Sequence, residues 1–600
     1  MSCDSGETRS LFAMNGGFTQ SQRRLPVLIA VVLATAVLGT SALLTLNPHA
    51  FPKPLLGILG AEAATPTEAA PAPSPVQLSS DTMSYARPEF RWAGSQPWQI
   101  RSRPHGSVVL EGYASRPSYL PGDVLRLAVN TSAPRFDLTI WLVSGKAPVA
   151  GPFVQVAQLR NLRGMRQGRP YVDPVTKLVA AQWRFGVSYA IPRTWSSGIY
   201  LVRLDSSQGV QSYIPFVVRS PKAHAVLVVS SAMDWQAYNR WGGSSVYWTN
   251  VGEPAVGVTR AYGVSFDRPY LGNGGAGQLF FLELPFVSWI LRQNLDVAFT
   301  TDYDLSVDPA AQPLPRVVVF NGHDEYWGVK LFEWLDHHVN QVGDMGLAML
   351  AADTGFWPVE FAHPTVDGPR DMIVYKTGPL PSPVAAGGRA GATPAPGVSA
   401  SPALPTSAVP TSAVPSPAVP TSAVPSPAPG ATSSDAADET AGTIPILWDL
   451  PRSGPYLGAF AAQRISGVTY NGIATVLGRY TLSADALQSG LLYGSGLQAG
   501  ASLGFIAGGE VDAVVNDARY WGPLAGRFDH EFASSVAIPG RGYVVTANAV
   551  WRNLPSGGRV FSSGTFYWGW ALDPAWGSEH RVPSGFGRLT RNILHWLGRF

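Results

Sequence analysis

The chain has 600 residues, Lys+Arg 43 against Asp+Glu 40, a formal net charge of +3, and one cysteine, Cys3. That length exceeds a single core, so two or three domains are expected, and 19 Trp, 21 Tyr and 25 Phe are ample to fill them. So small a charge, with no basic block, argues against a nucleic-acid partner. One N-terminal cysteine excludes disulfides, a cysteine-ligated metal and a cysteine nucleophile in the folded body.

In chain order, residues 1–24 read as a polar cytoplasmic tail. Leu25 to Leu46 is 22 residues without a charge behind Arg23-Arg24. That is long enough to cross a bilayer as a helix, with the arginines holding the N-terminus inside. Ala61-Glu62-Ala63-Ala64 leaves signal-peptidase cleavage open, although the run is long for a signal peptide. Both outcomes put the rest outside the cytoplasmic membrane, so the expectation is a single-pass cell-membrane protein with an extracellular body. Residues 47–79 are a Pro/Ala-rich spacer.

From 80 to 220, short alternating runs such as Val124–Val129, Phe136–Val143 and Gly198–Leu204 are separated by turns such as Pro121-Gly122, which predicts a β-sandwich. Over 221–600 the period changes. Apolar runs at Ala225–Ser230, Val297–Thr300, Val317–Phe320 and Leu347–Ala352 alternate with helical spacing at Gln278–Arg292 and Trp327–Val342. That alternation predicts an α/β body with a doubly wound parallel sheet. A Pro/Ser/Thr/Ala tract at 381–440 interrupts this body as a disordered insertion.

Each apolar run is followed by a polar or aromatic segment: Asp234–Trp248, Asp302–Asp304, Gly322–Trp327 and Asp353–Trp357. Open α/β sheets carry their ligand sites at such strand ends. The richest is Asn321-Gly322-His323-Asp324-Glu325-Tyr326-Trp327. Read blandly, it is a turn in which Asp324 and Glu325 cap the following helix, and Asp302 and Asp304 simply end a strand. Read as a site, it offers a histidine and carboxylates. Tyr238 and Tyr247, nine apart around Gly242-Gly243, can return to one spot. Phenolate is a hard anionic ligand suited to ferric iron.

Several motifs in order resemble the large (β) subunit of N,N-dimethylformamidase and its C-terminal-domain relatives. They are Gly198–Arg203, Tyr213–Arg219, Ala237-Tyr238-Asn239, Gly242–Tyr247, Val264–Tyr270, Gly322–Trp327 and Gly508–Asp512. The resemblance implies a glutamine-amidotransferase-like α/β fold behind a β-sandwich. It also implies one Fe(III) per chain, held by Tyr238, Tyr247 and Glu325, with His323 and Glu510 as catalytic residues. On that reading the chain hydrolyses a C–N bond of a small amide, with Glu510 as general base and His323 orienting substrate or stabilising an oxyanion. Asp353-Thr354-Gly355 lies where relatives tend to carry Asn and is left unassigned. Two other readings stay open: a non-catalytic cell-envelope or glycan-binding protein with a degenerate amidase-like domain, and a glycoside hydrolase using Glu325 and Glu510 as its carboxylate pair. Self-association and cell-wall glycan contact stay open as partners.

Overall fold

The computed structural model describes residues 96–101, 108–145, 152–251, 260–374, 376, 463–514, 530–540 and 543–600. The membrane-anchor run 25–46, the spacer 47–79 and the tract 381–440 lie outside the described residues. Among the described residues no helix is long and apolar enough to cross a membrane.

The alternating runs of the first domain form two sheets, three strands (Leu110–Ala114, Val124–Thr131, Phe185–Ala190) against five (Ser118–Tyr119, Gln211–Val218, Gly198–Ser206, Arg135–Val143, Phe153–Arg163). Inward-facing residues of both sheets, among them Leu110, Leu125, Leu127, Ile140, Val202 and Phe216, share one core. This is the sandwich that the period-2 pattern predicts.

The second domain is built on a nine-stranded sheet. Its strands in chain order are β1 (Val226–Ser230), β2 (Val297–Thr301), β3 (Val317–His323), β4 (Gly346–Ala352), β5 (Thr469–Leu482), β6 (Ser502–Ala513), β7 (His530–Ser535), β8 (Asn548–Asn553) and β9 (Arg559–Ser562). Their spatial order is β2-β1-β3-β4-β9-β8-β7-β5-β6. The first five run parallel. Val317, Val318, Val319 and Phe320 are fully buried, as a strand covered on both faces requires, and each such side chain contributes about 1.5–3 kcal/mol.

The expectation of a doubly wound, glutamine-amidotransferase-like α/β fold is not met. Strands account for 42% of the structure and helices for 20%, and four of the nine strands join antiparallel. The run at Gln278–Arg292 is a π-turn, Leu279–Glu283, followed by the short helix Leu284–Ile290, and Trp327–Val342 likewise changes from the helix Val329–Leu335 to a π-turn over Asp336–Val342. The physical reason is that short apolar runs carry no signal for strand direction. After β4 the chain also returns through hairpins in place of helical crossovers.

The antiparallel half is bent. Register shifts between β5 and β6 fall at Tyr470/Gly472, Ala474/Gly478, Gly478/Arg479 and Tyr480/Thr481, and bulges of this kind sharpen twist and bend. The bend brings β6 back across the ends of the parallel strands. Val511 bridges Thr565, Thr565 N–H donates to Ala351 O, and Asp353 N–H donates to an Asp512 carboxylate oxygen at 2.8 Å. The sandwich and this sheet belong to one unit, Leu78–Phe600.

Candidate metal centre

The sequence run Asn321–Trp327 is a strand end, and its backbone explains its glycine. Gly322 has φ +80°, and a Cβ there would stand 2.6 Å from Leu282 O, so only glycine fits. His323 closes β3 and is fully buried. Beyond it the chain is tied on two sides. Gly355 N–H donates to Asp324 O and Trp357 N–H to Glu325 O, both at 2.8 Å, while Glu325 N–H donates to Asp234 Oδ2 at 2.9 Å. Asp324 accepts from the Trp327 indole at 2.7 Å and from the Ser231 hydroxyl at 3.1 Å. Neither acid caps the next helix, which starts behind Gly328 with no side-chain cap.

Tyr238 follows the one-turn-and-a-half helix Ala232–Ala237 at the exit of β1. Gly242 and Gly243, at φ +74° and +87°, turn the chain so that Tyr247 comes back over Tyr238, their rings stacked with centroids 4.3 Å apart. Both hydroxyls reach Glu325: Tyr238 Oη lies 2.8 Å from Oε2, and Tyr247 Oη lies 2.8 Å from Oε1 and 2.6 Å from Oε2. Tyr247 Oη is also 2.7 Å from Tyr238 Oη and 2.6 Å from Tyr326 Oη. The Lys376 ammonium stands 3.1 Å from Glu325 Oε1, over the rings of Tyr247 and Trp357 at 3.8 and 4.4 Å.

His323 links this oxygen cluster to the bent hairpin. Its Nε2 is 3.1 Å from Glu510 Oε2 and 3.5 Å from Glu325 Oε2, and its Nδ1 is 3.3 Å from Asp234 Oδ1. None of the His323–Glu510 or His323–Asp234 contacts has hydrogen-bond alignment, leaving both imidazole nitrogens, Asp234 Oδ1 and Glu510 Oε2 buried without a bonded partner. Asp353, in the left-handed region at φ +54°, adds a further carboxylate within ligand distance of His323 and Glu510.

Burial and the surrounding charges set the protonation states. Burial, then the charges of Glu325 and Glu510, push the Tyr238 phenol well above its ordinary value, and burial with Glu325 does the same to Tyr247. Burial alone would pull His323 down, but the carboxylates of Glu510, Asp234 and Glu325 outweigh it and raise the imidazole to about 9. Burial pushes Glu325 up, yet the Lys376 and His323 charges and the tyrosine hydroxyls hold it below the usual carboxylate range.

The donors fit a small, hard cation. Two oxygens about 2.0 Å from one ion at right angles lie about 2.8 Å apart, close to the separations seen here. Three phenol protons also serve five short O···O contacts among Tyr238, Tyr247, Tyr326 and Glu325, so two contacts have no proton of their own, and a shared cation would relieve them. The His/carboxylate groups Asp234–His323–Glu325 and His323–Asp353–Glu510 could likewise hold a metal.

All five residues singled out from sequence (Tyr238, Tyr247, His323, Glu325 and Glu510) therefore come together. Asp234 and Tyr326 sat inside the quoted runs without a role. Lys376, next to the Pro-rich tract, had no motif to mark it.

No curated protein matches the chain. Among solved structures, it is similar to a cycloisomaltooligosaccharide glucanotransferase of Paenibacillus sp. complexed with cycloisomaltoheptaose, at 14% identity and TM-score 0.12, over 23% of this chain and 17% of that one. It is also similar to Spo0M, a sporulation control protein from Bacillus subtilis, at 12% identity and TM-score 0.13, over 19% of this chain and 50% of that one. The chain thus spans half or less of these proteins, and likeness this slight carries no argument. The profile described as N,N-dimethylformamidase beta subunit-like, C-terminal, matches residues 151–394 and 426–581. That match covers more than half of the chain, includes every residue of the cluster, and identifies a dimethylformamidase-like domain. The chain belongs to the N,N-dimethylformamidase beta subunit-like, C-terminal family.

Proposed function

We propose that the chain is a metallohydrolase that cleaves the C–N bond of a small amide at one Fe(III) ion, held by Tyr238, Tyr247 and Glu325. The observation that carries this reading is the convergence of two phenols on one buried carboxylate, beside a histidine and a second carboxylate with unbonded atoms. When bound, the ion supplies Lewis-acid polarisation of the amide carbonyl.

The chain's own residues handle protons and position. Glu510 Oε2 takes a proton from the attacking water and returns it to the nitrogen of the departing amine, so that acid and amine leave with protons balanced. His323 donates from Nε2 toward the carbonyl oxygen as charge builds on it. Asp234 accepts from the Glu325 backbone N–H, which holds Glu325 in place, and its other oxygen faces His323 Nδ1. Lys376 occupies the outer oxygen of Glu325 and keeps that carboxylate ionised. Phe566 packs on the His323 ring with centroids 4.5 Å apart, and Trp357 lies under the Lys376 ammonium at 4.4 Å, so apolar rings border the cluster and suit a small, weakly polar substrate.

The test is metal content and a visible spectrum of the purified chain, followed by hydrolysis of simple formamides and acetamides. Near-stoichiometric iron, a tyrosinate charge-transfer band and amine release are expected. A folded protein that stays colourless and metal-free after iron reconstitution overturns the reading.

A further inference from the structure

The motif Val264–Tyr270 has no part in the chemistry above, yet its Arg268 is fully buried. A buried guanidinium needs acceptors for its donors, and here all of them belong to the tyrosine-bearing hairpin. Arg268 Nε donates to Gln236 Oε1 at 3.0 Å and Nη2 to Gln236 O at 2.8 Å. Nη1 donates to Ser244 O at 2.8 Å and Trp241 O at 3.4 Å. One side chain thus ties the segment just before Tyr238 to the segment just before Tyr247. Asn239 reinforces the tie, donating to Pro269 O and accepting from Leu271 N–H.

The other side of the hairpin rests on the β-sandwich and the loop leaving it. The Trp241 indole donates to Glu111 Oε2 at 2.7 Å and packs edge-on against Trp183. The Ser244 hydroxyl donates to Lys177 O at 2.7 Å. A Cβ on Gly242 would stand 2.5 Å from Val179 Cγ1, so the sandwich side is in contact with the bend itself.

We infer that Arg268 is a positioning residue and that, together with Glu111 of the sandwich, it sets the spacing of Tyr238 and Tyr247 so that both phenols meet one cation. The sandwich is then a structural wall of the metal site. This rests on the reading of the two tyrosines as ligands. A guanidinium's rigid fork bridges Gln236, in the helix before Tyr238, and Trp241 and Ser244, in the turn before Tyr247, and a lysine ammonium cannot reproduce that geometry.

The experiment uses the full chain loaded with Fe(III) and follows iron loss to a hydroxamate chelator. Arg268→Lys should speed the loss about tenfold or more, the scale of effect that residues supporting metal ligands have on affinity. Arg370→Lys is the control: Arg370 is also buried but bonds Asp267 in place of the hairpin. It should lower the melting temperature of the metal-free chain while leaving iron loss within about twofold of wild type. Equal iron loss in wild type and both variants overturns the inference.

If Arg268→Lys fails to fold, Trp241→Phe removes the Glu111 tether and part of the Trp183 contact and should speed iron loss about threefold; no change there overturns the brace. A second readout needs no metal. Photo-oxidative coupling of Tyr238 to Tyr247 in the metal-free chain, mapped by mass spectrometry, should fall several-fold in the hairpin variants, and an unchanged yield overturns the spacing role. A wild-type chain that takes up no iron sinks the ligand reading above, and the coupling yield then decides the brace by itself.

Discussion

The two halves of the nine-stranded sheet serve the same cluster by opposite means. The parallel half delivers His323 and Glu325 at the end of a fully buried strand, with backbone ties to Asp234, Gly355 and Trp357. The antiparallel half delivers Glu510 from a bulged hairpin that bends back across the sheet. Glu510 keeps its side chain 13% exposed, against 3% for Glu325. On the proposed reading, the ligands sit on the more deeply buried half and the proton acceptor on the more exposed one.

Breaking the rigid half at its ligand should have the largest effect. Glu325→Ala removes the carboxylate on which both phenols converge, and metal analysis of the purified variant should find a loss of iron of at least about 100-fold in affinity. Glu510→Gln tests the other half: iron and its absorption band should remain while amide turnover falls about 10²–10³-fold. A variant that lost metal along with activity would erase the distinction between the halves.

Gly322→Ala attacks the rigid half through its backbone. With φ +80° and Leu282 O at 2.6 Å from the new Cβ, it should cost about 2–4 kcal/mol in urea unfolding. The last effect is a pH dependence. Burial raises the Glu283 carboxyl to about 8 from an ordinary 4.5, partly offset by bonds from Ser230 and Ser231. The folded chain therefore keeps this proton over a range in which the unfolded chain releases it. Stability should be full below pH 4.5 and fall as pH rises toward 8, by at least about 1 kcal/mol. Glu283→Gln cannot ionise and should flatten that slope in thermal melts taken across the range.

The same contrast explains what the sequence made legible. Gly322 through Trp327 follows an unbroken apolar run, so its place at a strand end could be read directly. Tyr238 and Tyr247 flank Gly242-Gly243, whose left-handed turns announce a return of the chain. The sandwich follows from its period of two. The antiparallel half did not announce itself: β5 and β6 carry Gly472, Gly478, Gly504 and Gly509 within their spans, which blurs alternation, and their bulges shift register. Nothing local says that Glu510, on the far edge of the sheet, bends back to His323. Lys376 was illegible for a related reason, since its partners Glu325 and Tyr247 are 51 and more residues away.

The segment 377–462 joins Lys376 to the strands that carry Glu510. A protease cut there would leave Tyr238, Tyr247, His323 and Glu325 on one fragment and Glu510 on the other. The fragments would still be zipped through β4 and β9, from Gly346 against Arg559 to Met349 against Ser562. On the proposed reading, one piece pulled apart would hold the metal ligands and the other the proton acceptor. If the proposed activity holds, the chain is a candidate for a split reporter, silent in halves and restored on reassembly.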